Sequence, residues 1–267
     1  PPPPPPHIFF FTNNPQYSML RSLVGSEMCI RDSYNRDVEV EFKSDRSPLT
    51  EADKKSNQVI KQTLESFYPN IPIISEENSE ISYSERSSWS EFWLIDPLDG
   101  TKEFIKKNGE FTVNIALIRD GYPVLGVVYL PVDEILYCAE KGSGAFKEDR
   151  SGNLSKISNG VHYDELEHIK IVASRSHITA EVEEFVEGLK NEGKKVEMIS
   201  VGSSLKLCLV AEGSANIYPR FGPTMEWDTG AAQAVVMESG REVLNYETNE
   251  LLNYNKKSLL NPWFVVE

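Results

Sequence analysis

The stretch of sequence that decides the fold is Trp93-Leu94-Ile95-Asp96-Pro97-Leu98-Asp99-Gly100-Thr101. Its apolar start predicts a buried strand, which ends in two aspartates, Asp96 and Asp99. Pro97 between them fixes its φ at about −65° and lacks an amide donor, so the turn that holds the two acids is stiff. Gly100 permits a close backbone approach, and Thr101 opens the next predicted helix, whose first amides favour a phosphate. The sequence therefore predicts a rigid acidic turn at the end of a buried strand.

Two interpretations of this acidic turn remain open from the residues alone. Hard cations such as Mg²⁺ prefer oxygen ligands in an octahedral array, and the two carboxylates and the main-chain carbonyl of Leu98 are suitable donors. An Asp-Gly pair is also a common turn, so the pattern does not by itself establish a metal site. The positions of the other acids decide how much weight the metal interpretation carries.

Three further acids also lie next to predicted buried elements. Glu76 begins a glutamate pair after a short apolar strand, although such a pair is usually part of a solvated loop. Asp228 stands at the start of a helix of small residues, where an N-cap is the alternative role. Asp53 lies in the first turn of a helix predicted to begin near Thr50, a common place for an acid. Each acid is ordinary alone, but together they favour a metal-binding cluster.

The rest of the chain predicts an α+β arrangement in two halves. Antiparallel strands dominate the first half, with a hairpin turn at residues 119–123, whereas strand and helix alternate after residue 168. The polar, turn-rich residues 150–167 predict the boundary between them. We expect a metal-binding half at residues 34–150 and a second half at residues 151–267 that completes the active site.

Residues 1–33 form a leader that is unlike the rest of the chain. It opens with a polyproline run and then shows no convincing periodicity, so we expect it to be non-globular. The run at residues 22–33 resembles a segment that recurs in translated assemblies of unrelated genes, so an artefactual origin of the leader stays open. The leader has neither the basic start nor the proper apolar core of a secretory signal.

The composition is that of an ordinary globular enzyme with an acidic surface. The chain has 267 residues, of which 40% are hydrophobic and 25% charged, and a formal net charge of −14. Such a charge repels nucleic-acid backbones, so a nucleic acid polymer is not an expected partner. A small phosphorylated substrate would be repelled as well, unless cations in the site reverse the local sign. No apolar stretch approaches the ~20 residues that span a bilayer, and the scattered cysteines fit a reducing cytoplasm.

Four segments together resemble the inositol monophosphatase superfamily of lithium-sensitive phosphatases. They are residues 45–53 (DRSPLTEAD), 73–77 (IISEE), 93–105 (WLIDPLDGTKEFI) and 227–232 (WDTGAA). Two longer runs, within residues 93–131 and 201–228, are similar more narrowly to its branch of CysQ-type 3'(2'),5'-bisphosphate nucleotidases. Inositol phosphatases typically read D-G-T-x-N-F where this chain reads D-G-T-K-E-F, which also favours the nucleotidase branch. The resemblance covers about residues 37–264, and the long N-terminal helix that family members normally have is not convincingly supplied by the leader.

The resemblance implies a fold, a cofactor and a set of site residues. The fold is a layered α+β or α/β sugar-phosphatase fold, with an antiparallel-sheet N-terminal half and helices packed on a mixed-sheet C-terminal half. The cofactor is Mg²⁺, as two or three ions, and the implied ligands are Glu76, Asp96, Asp99, Asp228 and the carbonyl of Leu98. Glu76 with Thr101 would orient the attacking water, and Asp53 would be a further acid near that water or near a third ion. The amides of Gly100 and Thr101 would hold the scissile phosphate.

The candidates for contacts to the rest of the substrate lie in residues 203–222. Ser203, Lys206 and Arg220 are the polar candidates. Arg220 would bind a second phosphate bidentately and Phe221 would pack near the adenine. Alternatively, Phe221 is part of the core and Arg220 is a surface residue. At the reacting phosphate the expected contacts are Glu76, Leu98, Asp99, Gly100, Thr101 and Asp228.

The activity implied by the resemblance is hydrolysis of adenosine 3',5'-bisphosphate to AMP and phosphate, in sulfur assimilation. We expect in-line attack by a water activated at two cations ~3.5–4 Å apart, without a phosphoenzyme. An inositol- or sugar-phosphate phosphatase of the same fold is the alternative, and a non-catalytic metal-binding module is the third hypothesis. The expected location is the cytoplasm. Peripheral association with the cytoplasmic face of the inner membrane stays open because CysQ-type proteins are sometimes found there, and the sequence predicts no oligomeric state.

Overall fold

Four β-sheets and the helices packed on them make up the described part of the chain. The computed structural model describes residues 30–34, 36, 40–42, 48–158, 162–174 and 179–267. The strands are β1 (Val40–Phe42), β2 (Pro48–Thr50), β3 (Ile73–Ser75), β4 (Glu91–Asp99), β5 (Thr112–Arg119), β6 (Tyr122–Leu130), β7 (Ile135–Glu140), β8 (Gly144–Glu148), β9 (Leu154–Ile157), β10 (His168–Ser174), β11 (Lys195–Val201), β12 (Tyr218–Arg220), β13 (Val243–Asn245) and β14 (Phe264–Val266). The helices are α1 (Glu51–Phe67), α2 (Tyr83–Arg86), α3 (Thr101–Ile105), α4 (Ala180–Asn191), α5 (Leu205–Ala211) and α6 (Glu226–Glu238). Among the described helices, none combines the length and the apolar character that crossing a bilayer requires.

A seven-stranded sheet forms the first half, with the strand order β3-β4-β5-β6-β7-β8-β9. The first pair, β3 and β4, is parallel, and every later pair is antiparallel. The hairpin of β5 and β6 turns at residues 120–121, as the sequence predicts. The parallel pair places the carboxyl ends of β3 and β4 side by side, which matters for the acids that follow them.

Helices cover both faces of this sheet, because the side chains of β4 alternate between two apolar cores. Trp93 and Ile95 are fully buried in the core that α1 completes with Ile60. Phe92 and Leu94 point to the opposite core, to which α6 contributes. A strand that is covered on both faces is apolar throughout, which explains the unbroken apolar run in the sequence.

The second half is a smaller, mixed arrangement of strands. β10 and β11 are parallel, whereas β12, β14 and β13 form an antiparallel sheet in that order. A parallel bridge between Ile171 and Ile217 connects the two groups of strands. Helices pack on these strands and on the first sheet, so the predicted layered α+β fold is confirmed.

The contact between α6 and the first sheet depends on a glycine in β6. A Cβ on Gly126 would lie 2.7 Å from the Cβ of Ala234 and would overlap the carbonyl oxygen of Ala231. Because glycine has no side chain, the helix backbone can approach the strand this closely. The close contact holds the middle of α6, at Ala231 and Ala234, against β6, and Asp228 lies earlier on the same helix.

The first sheet extends beyond the boundary that the sequence analysis predicts at residue 150. Residues 154–157, assigned there to the second half, form β9 and pair with β8. Three of the four residues of β9 are exposed, so this edge strand lacks the apolar alternation by which a strand is recognised. The seven-stranded sheet therefore ends at Ile157.

Most of the predicted leader, residues 1–29, lies outside the described residues. Residues 30–34 are helical, and Ile30 is fully buried in the core shared with α1. Tyr34 packs on Phe104 and Phe111, with ring centroids 5.4 and 5.2 Å apart. The packed chain therefore includes residues 30–33, which the sequence analysis assigns to the leader.

Candidate active site

The parallel pairing of β3 with β4 brings two of the predicted acids to the same end of the sheet. Ser75 pairs with Ile95, and the amide of Glu76 donates to the carbonyl oxygen of Ile95 at 3.1 Å. Ser75 and Ile95 are the last residues that pair β3 with β4, and Glu76 and Asp96 directly follow them. The two acids therefore lie side by side. Asp96 is buried, whereas Glu76 is half-buried.

Asp99 is held by a buried polar network that links the two halves of the chain. Its Oδ2 accepts the amide of Ser204 at 2.5 Å and lies 3.5 Å from Thr112 Oγ1 and 3.4 Å from Asn114 Nδ2. The Ser204 hydroxyl in turn lies 2.8 Å from both Thr112 Oγ1 and Asn114 Oδ1. Thr112 and Asn114 belong to β5, whereas Ser204 precedes α5. The carboxylate is thus oriented by residues from both halves.

Asp228, which is far from the other acids in sequence, reaches them on α6. The helix begins at Glu226, two residues earlier than the sequence analysis predicts, so Asp228 is its third residue and not its N-cap. The Asp228 carboxylate accepts the amide of Met225 at 2.8 Å. The acid therefore stabilises the start of the helix and faces the cleft at the same time.

The acids of this cluster are close enough to shift one another's pKa. The pKa of Asp96 lies well above its ordinary value, first because the carboxyl is buried and then because Glu76, Asp99 and Asp228 oppose its charge. Burial also raises the pKa of Asp228 well above its ordinary value, and Asp99 raises it further. Burial raises the pKa of Asp99, although Lys206 opposes this effect. Buried acids that repel one another in this way are the environment in which a bound cation stabilises a protein.

The oxygen donors of the cluster fit a hard divalent cation, but the acids first satisfy the protein's own amides. Among the described residues, no three acidic, histidine or cysteine side chains are arranged to enclose an ion. Asp96 Oδ1 instead accepts the amide of Leu98 at 3.0 Å, much as Asp99 and Asp228 accept amides from Ser204 and Met225. A cation bound here would therefore share these carboxylate oxygens with the backbone amides, or the carboxylates would rotate toward it.

Asp53 and Thr101 form a second part of the site. The Oδ2 of Asp53 accepts both the amide of Thr50, at 2.8 Å, and its hydroxyl, at 2.5 Å, which caps α1. The Oδ1 accepts the hydroxyl of Thr101 at 3.1 Å. Burial raises the pKa of Asp53, although the hydrogen bonds from Thr50 oppose this. The same carboxylate therefore caps the first turn of α1, as one interpretation predicts, and also accepts the hydroxyl of Thr101.

The acidic turn is fixed to α1 and shaped by a glycine. The Ser56 hydroxyl of α1 donates to the carbonyl oxygen of Pro97 at 2.9 Å. Gly100 has a φ of +95°, and a Cβ there would lie 3.3 Å from the carbonyl oxygen of Glu110. The carbonyl oxygen of Leu98 lies 3.4 Å from the Thr101 hydroxyl. Both aspartates nevertheless lie within β4, with an irregular register between Asp96 and Asp99, so the segment predicted as a turn after the strand is the irregular last part of the strand itself.

A polar cleft opens beside Asp99 and contains most of the predicted substrate contacts. Its lining includes the predicted residues Asp99, Gly100, Ser203, Lys206, Arg220 and Asp228. It also includes residues that the sequence analysis does not identify, namely Lys102, Glu103, Ser174, Tyr218 and Thr224. Positive side chains from both halves therefore line the cleft next to the acids.

Lys206 and Arg220 are the positive side chains of the cleft on the second half. The Nζ of Lys206 donates to the carbonyl oxygen of Ser203 at 2.5 Å and lies 5.6 Å from the centre of the Tyr218 ring. Burial lowers the pKa of Lys206 to about 8, although Asp99 opposes the shift. The Arg220 Nη2 donates to the carbonyl oxygen of Pro223 at 3.0 Å, and its buried Nε has no hydrogen-bond partner among the described residues. The guanidinium therefore keeps a donor for an anion.

Phe221 lies in the core, although it directly follows Arg220. It is 4% exposed and packs on Tyr246, Trp263 and Phe185, with ring centroids 4.5, 5.6 and 6.0 Å apart. The core interpretation of Phe221 is therefore confirmed, whereas Arg220 is half-buried in the cleft and is not a surface residue.

The residues that the sequence analysis missed fall into two kinds. Thr112 and Asn114 carry a signal, because two polar residues in the apolar run of β5 have to find partners in the interior. Ser174, Tyr218 and Thr224 carry no such signal, because their places in the cleft depend on how strands and loops of the second half come together.

Comparisons with known proteins identify the family and support the fold. The family model described as the inositol monophosphatase family matches residues 21–264, which begins earlier than the motifs suggest. The chain is 44% identical to the 3'(2'),5'-bisphosphate nucleotidase CysQ of Escherichia coli O6:H1 over 229 residues, or 86% of this chain and 89% of the relative. The crystal structure of CysQ from Bacteroides thetaiotaomicron superposes with a TM-score of 0.82 at 43% identity, covering 96% of this chain and 98% of that one.

A more distant solved structure shares the fold as well. The extragenic suppressor protein suhB from Bartonella henselae superposes with a TM-score of 0.76 at 25% identity, covering 94% of this chain and 92% of that one. The family match thus spans nearly all of the described chain, and it includes each acid of the cluster. On these grounds, the chain belongs to the inositol monophosphatase family, whose enzymes are metal-dependent phosphatases.

Proposed function

We propose that the chain is a magnesium-dependent 3'(2'),5'-bisphosphate nucleotidase that converts adenosine 3',5'-bisphosphate to AMP and phosphate in sulfur assimilation. The observation that carries the proposal is a cleft in which buried acids adjoin Lys206 and Arg220. The acids suit a cation that binds the reacting phosphate, and the two basic side chains suit a second phosphate, which an inositol monophosphate lacks. The 44% identity to a relative that bears the nucleotidase name supports the same substrate.

The acid cluster is the proposed site of the cofactor. Two or three magnesium ions would be held by Glu76, Asp96, Asp99, Asp228 and the carbonyl oxygen of Leu98. Bound Mg²⁺ supplies charge neutralisation at the phosphate and a lower pKa for the attacking water. The hydrogen bonds to Asp99 Oδ2 from Ser204 and Asn114 would orient this carboxylate for the cofactor.

The chain's own residues orient the reactants. Thr101 donates its hydroxyl to Asp53, so its oxygen lone pairs are free to accept a proton of the attacking water, which Glu76 would orient from the other side. Asp53 then accepts the proton that passes through Thr101. The amides of Gly100 and Thr101 at the start of α3 would hold the phosphate for in-line attack. This path uses no protein nucleophile, so the configuration at phosphorus inverts.

The remaining part of the substrate would extend along the basic wall of the cleft. Lys206 and Arg220 would bind the phosphate that is retained in AMP, and Ser203 lies beside them. Because Lys206 is buried, its ammonium interacts with a phosphate more strongly than an exposed lysine would. The second phosphate would therefore contribute to substrate choice.

Phosphate release from a small panel of substrates tests the proposal. We expect the purified chain with Mg²⁺ to hydrolyse adenosine 3',5'-bisphosphate much faster than inositol 1-phosphate, and EDTA to abolish both reactions. Faster hydrolysis of inositol 1-phosphate would favour the sugar-phosphatase alternative. Release from neither substrate would favour a non-catalytic metal-binding module.

A cytoplasmic location is part of the same proposal. Cys138 and Cys208 are free thiols, which is common in reducing compartments. Peripheral association with the inner membrane is the alternative, and fractionation of expressing cells with an antibody to the chain distinguishes the two.

A further inference from the structure

Residues 202–204 form the loop between β11 and α5, and the backbone of this loop is constrained. Ser203 has a φ of +51°, a left-handed conformation that few residues other than glycine adopt. A Cβ on Gly202 would lie 2.6 Å from the carbonyl oxygen of Glu110 and 2.8 Å from Cγ of Glu103, so only glycine fits. A strained backbone of this kind persists only where its surroundings hold it in place.

Glu110 holds this loop from the side of the first half. Its Oε2 accepts the amide of Gly202 at 2.9 Å, in a partly buried position. Because the acceptor is a carboxylate, the bond is stronger than one between neutral groups. On its other side the loop is attached to Asp99, which accepts the amide of Ser204.

The same loop also forms a hydrogen bond with Lys206. The carbonyl oxygen of Ser203 accepts the Lys206 ammonium at 2.5 Å, inside the cleft that Arg220 also lines. The Ser203 carbonyl belongs to the same peptide group as the Ser204 amide, which Asp99 accepts, whereas Glu110 accepts the Gly202 amide at the start of the loop. The two carboxylates together therefore hold the loop conformation that directs this carbonyl toward Lys206. The position of the Lys206 ammonium therefore depends on Glu110.

We infer that Glu110 is a positioning residue for the second phosphate of the substrate. It acts through the Gly202 amide and the Ser203 carbonyl on Lys206, and not on the reacting phosphate. The inference rests on the proposed function, because it places the retained phosphate of the bisphosphate at Lys206. Removing the Glu110 carboxylate should lower the affinity for ligands that carry this phosphate. The affinity for ligands that carry only the scissile phosphate should not change.

The test compares Glu110→Ala with a matched control, Glu238→Ala. Glu238 also accepts two glycine amides, from Gly142 and Gly144 at 2.9 Å each, but it does not line the cleft. With adenosine 3',5'-bisphosphate, Glu110→Ala should raise KM about tenfold while kcat changes less than about twofold. With adenosine 3'-monophosphate, kcat/KM should stay within about twofold of the wild type. Calorimetry without Mg²⁺ should show a comparable loss of AMP affinity.

Conservative variants separate positioning from folding. Glu110→Gln keeps an oxygen acceptor for the Gly202 amide and should restore most of the affinity, whereas Glu238→Ala should lower the unfolding temperature without changing KM. Should Glu110→Ala fail to fold, Glu110→Asp withdraws the carboxylate by one methylene and carries the same expectation.

Three outcomes would overturn the inference. One is an unchanged KM in Glu110→Ala, the second is an equal loss on the monophosphate, and the third is an equal rise of KM in Glu238→Ala. A wild-type chain that does not hydrolyse adenosine 3',5'-bisphosphate would overturn the proposed function, and the inference with it. If the wild type does hydrolyse this substrate, the results for the variants test the role of Glu110 separately from the proposed function.

Discussion

Asp96 is 1% exposed, and the charges of three neighbouring acids oppose its ionisation. We expect Asp96→Asn to lower kcat on adenosine 3',5'-bisphosphate by at least ~10³, because several kcal/mol of stabilisation by a bound cation is lost. The asparagine oxygen still accepts the Leu98 amide, so the fold should remain intact, and the metal-free protein should unfold at the same or a higher temperature. Turnover and thermal unfolding of the same preparation measure both effects. Near-normal turnover would contradict the role of Asp96.

Lys206 gives the site a pH dependence, because burial lowers its pKa to about 8. A lysine is charged below its pKa, so raising the pH from about 7 to about 9 removes the ammonium that would bind the second phosphate. We expect KM for adenosine 3',5'-bisphosphate to rise over this range. In Lys206→Met, KM should already be high at the lower pH and should change little across the range. A rise of equal size in both proteins would assign the pH dependence to another group.

At the level of single residues, the sequence could predict the acids but not their partners. Asp96 and Asp99 lie in the last part of a strand that is recognisable from its apolar residues, so their common location needed no tertiary information. The partners of Asp99 come from β5 and from the loop before α5, and only the folded chain brings these together. Glu110 was missed for the same reason, since its bond to Gly202 spans the two halves.

Among the elements, α6 is the one on which the site depends most, because it covers the first sheet and carries Asp228. We expect Gly126→Ala to destabilise the protein by at least ~2 kcal/mol, since the added methyl group overlaps the backbone of α6. Activity should fall as well, because the start of α6 moves.

Gly188→Ala is the control for this substitution. Gly188 lies inside α4, and a Cβ there meets nothing within 4 Å. Alanine should therefore raise the stability by about 0.5–1 kcal/mol through its higher helix propensity. Denaturant unfolding measures both variants. Equal free energies of unfolding for the two variants would show that a side chain at position 126 does not disturb the packing of α6 on β6.

The sequence predicts the long, strongly patterned elements and misses the short ones. The helix that begins after Thr50 and the hairpin of β5 and β6 are confirmed, because their capping and turn residues are local signals. β13 and β14 have three residues each and are strands only because they pair with each other, while β14 also pairs with β12. Phe42 is 71% exposed, because β1 belongs to a sheet of only two strands.

For the whole molecule, the acid cluster is a cost to stability that a cation relieves. Burial raises the pKa of Asp96 and Asp228, so between the unfolded value, about 3.9, and the raised folded value the folded state binds more protons. The contribution of these acids to stability therefore falls as pH rises through this window. Mg²⁺ should bind the ionised, folded form and restore the loss.

We expect the gain in unfolding temperature with millimolar Mg²⁺ to increase from about pH 5 to about pH 7.5. In Asp96→Asn, both the fall of the metal-free unfolding temperature with pH and the gain with Mg²⁺ should be smaller. Thermal unfolding across this pH range, with Mg²⁺ or EDTA, measures both. A gain that is the same at every pH would contradict a coupling between these acids and the ion.

The placement of Asp228 on α6 has a consequence for the order in which the protein becomes competent during synthesis. Glu76, Asp96 and Asp99 leave the ribosome more than a hundred residues before Asp228, and the sheet that carries them exposes one apolar face until α6 arrives. A nascent or prematurely terminated chain therefore exposes an apolar surface that favours aggregation, and it lacks Asp228, one of the proposed metal ligands. The proposed site is therefore completed only when α6 has been synthesised, near the end of translation.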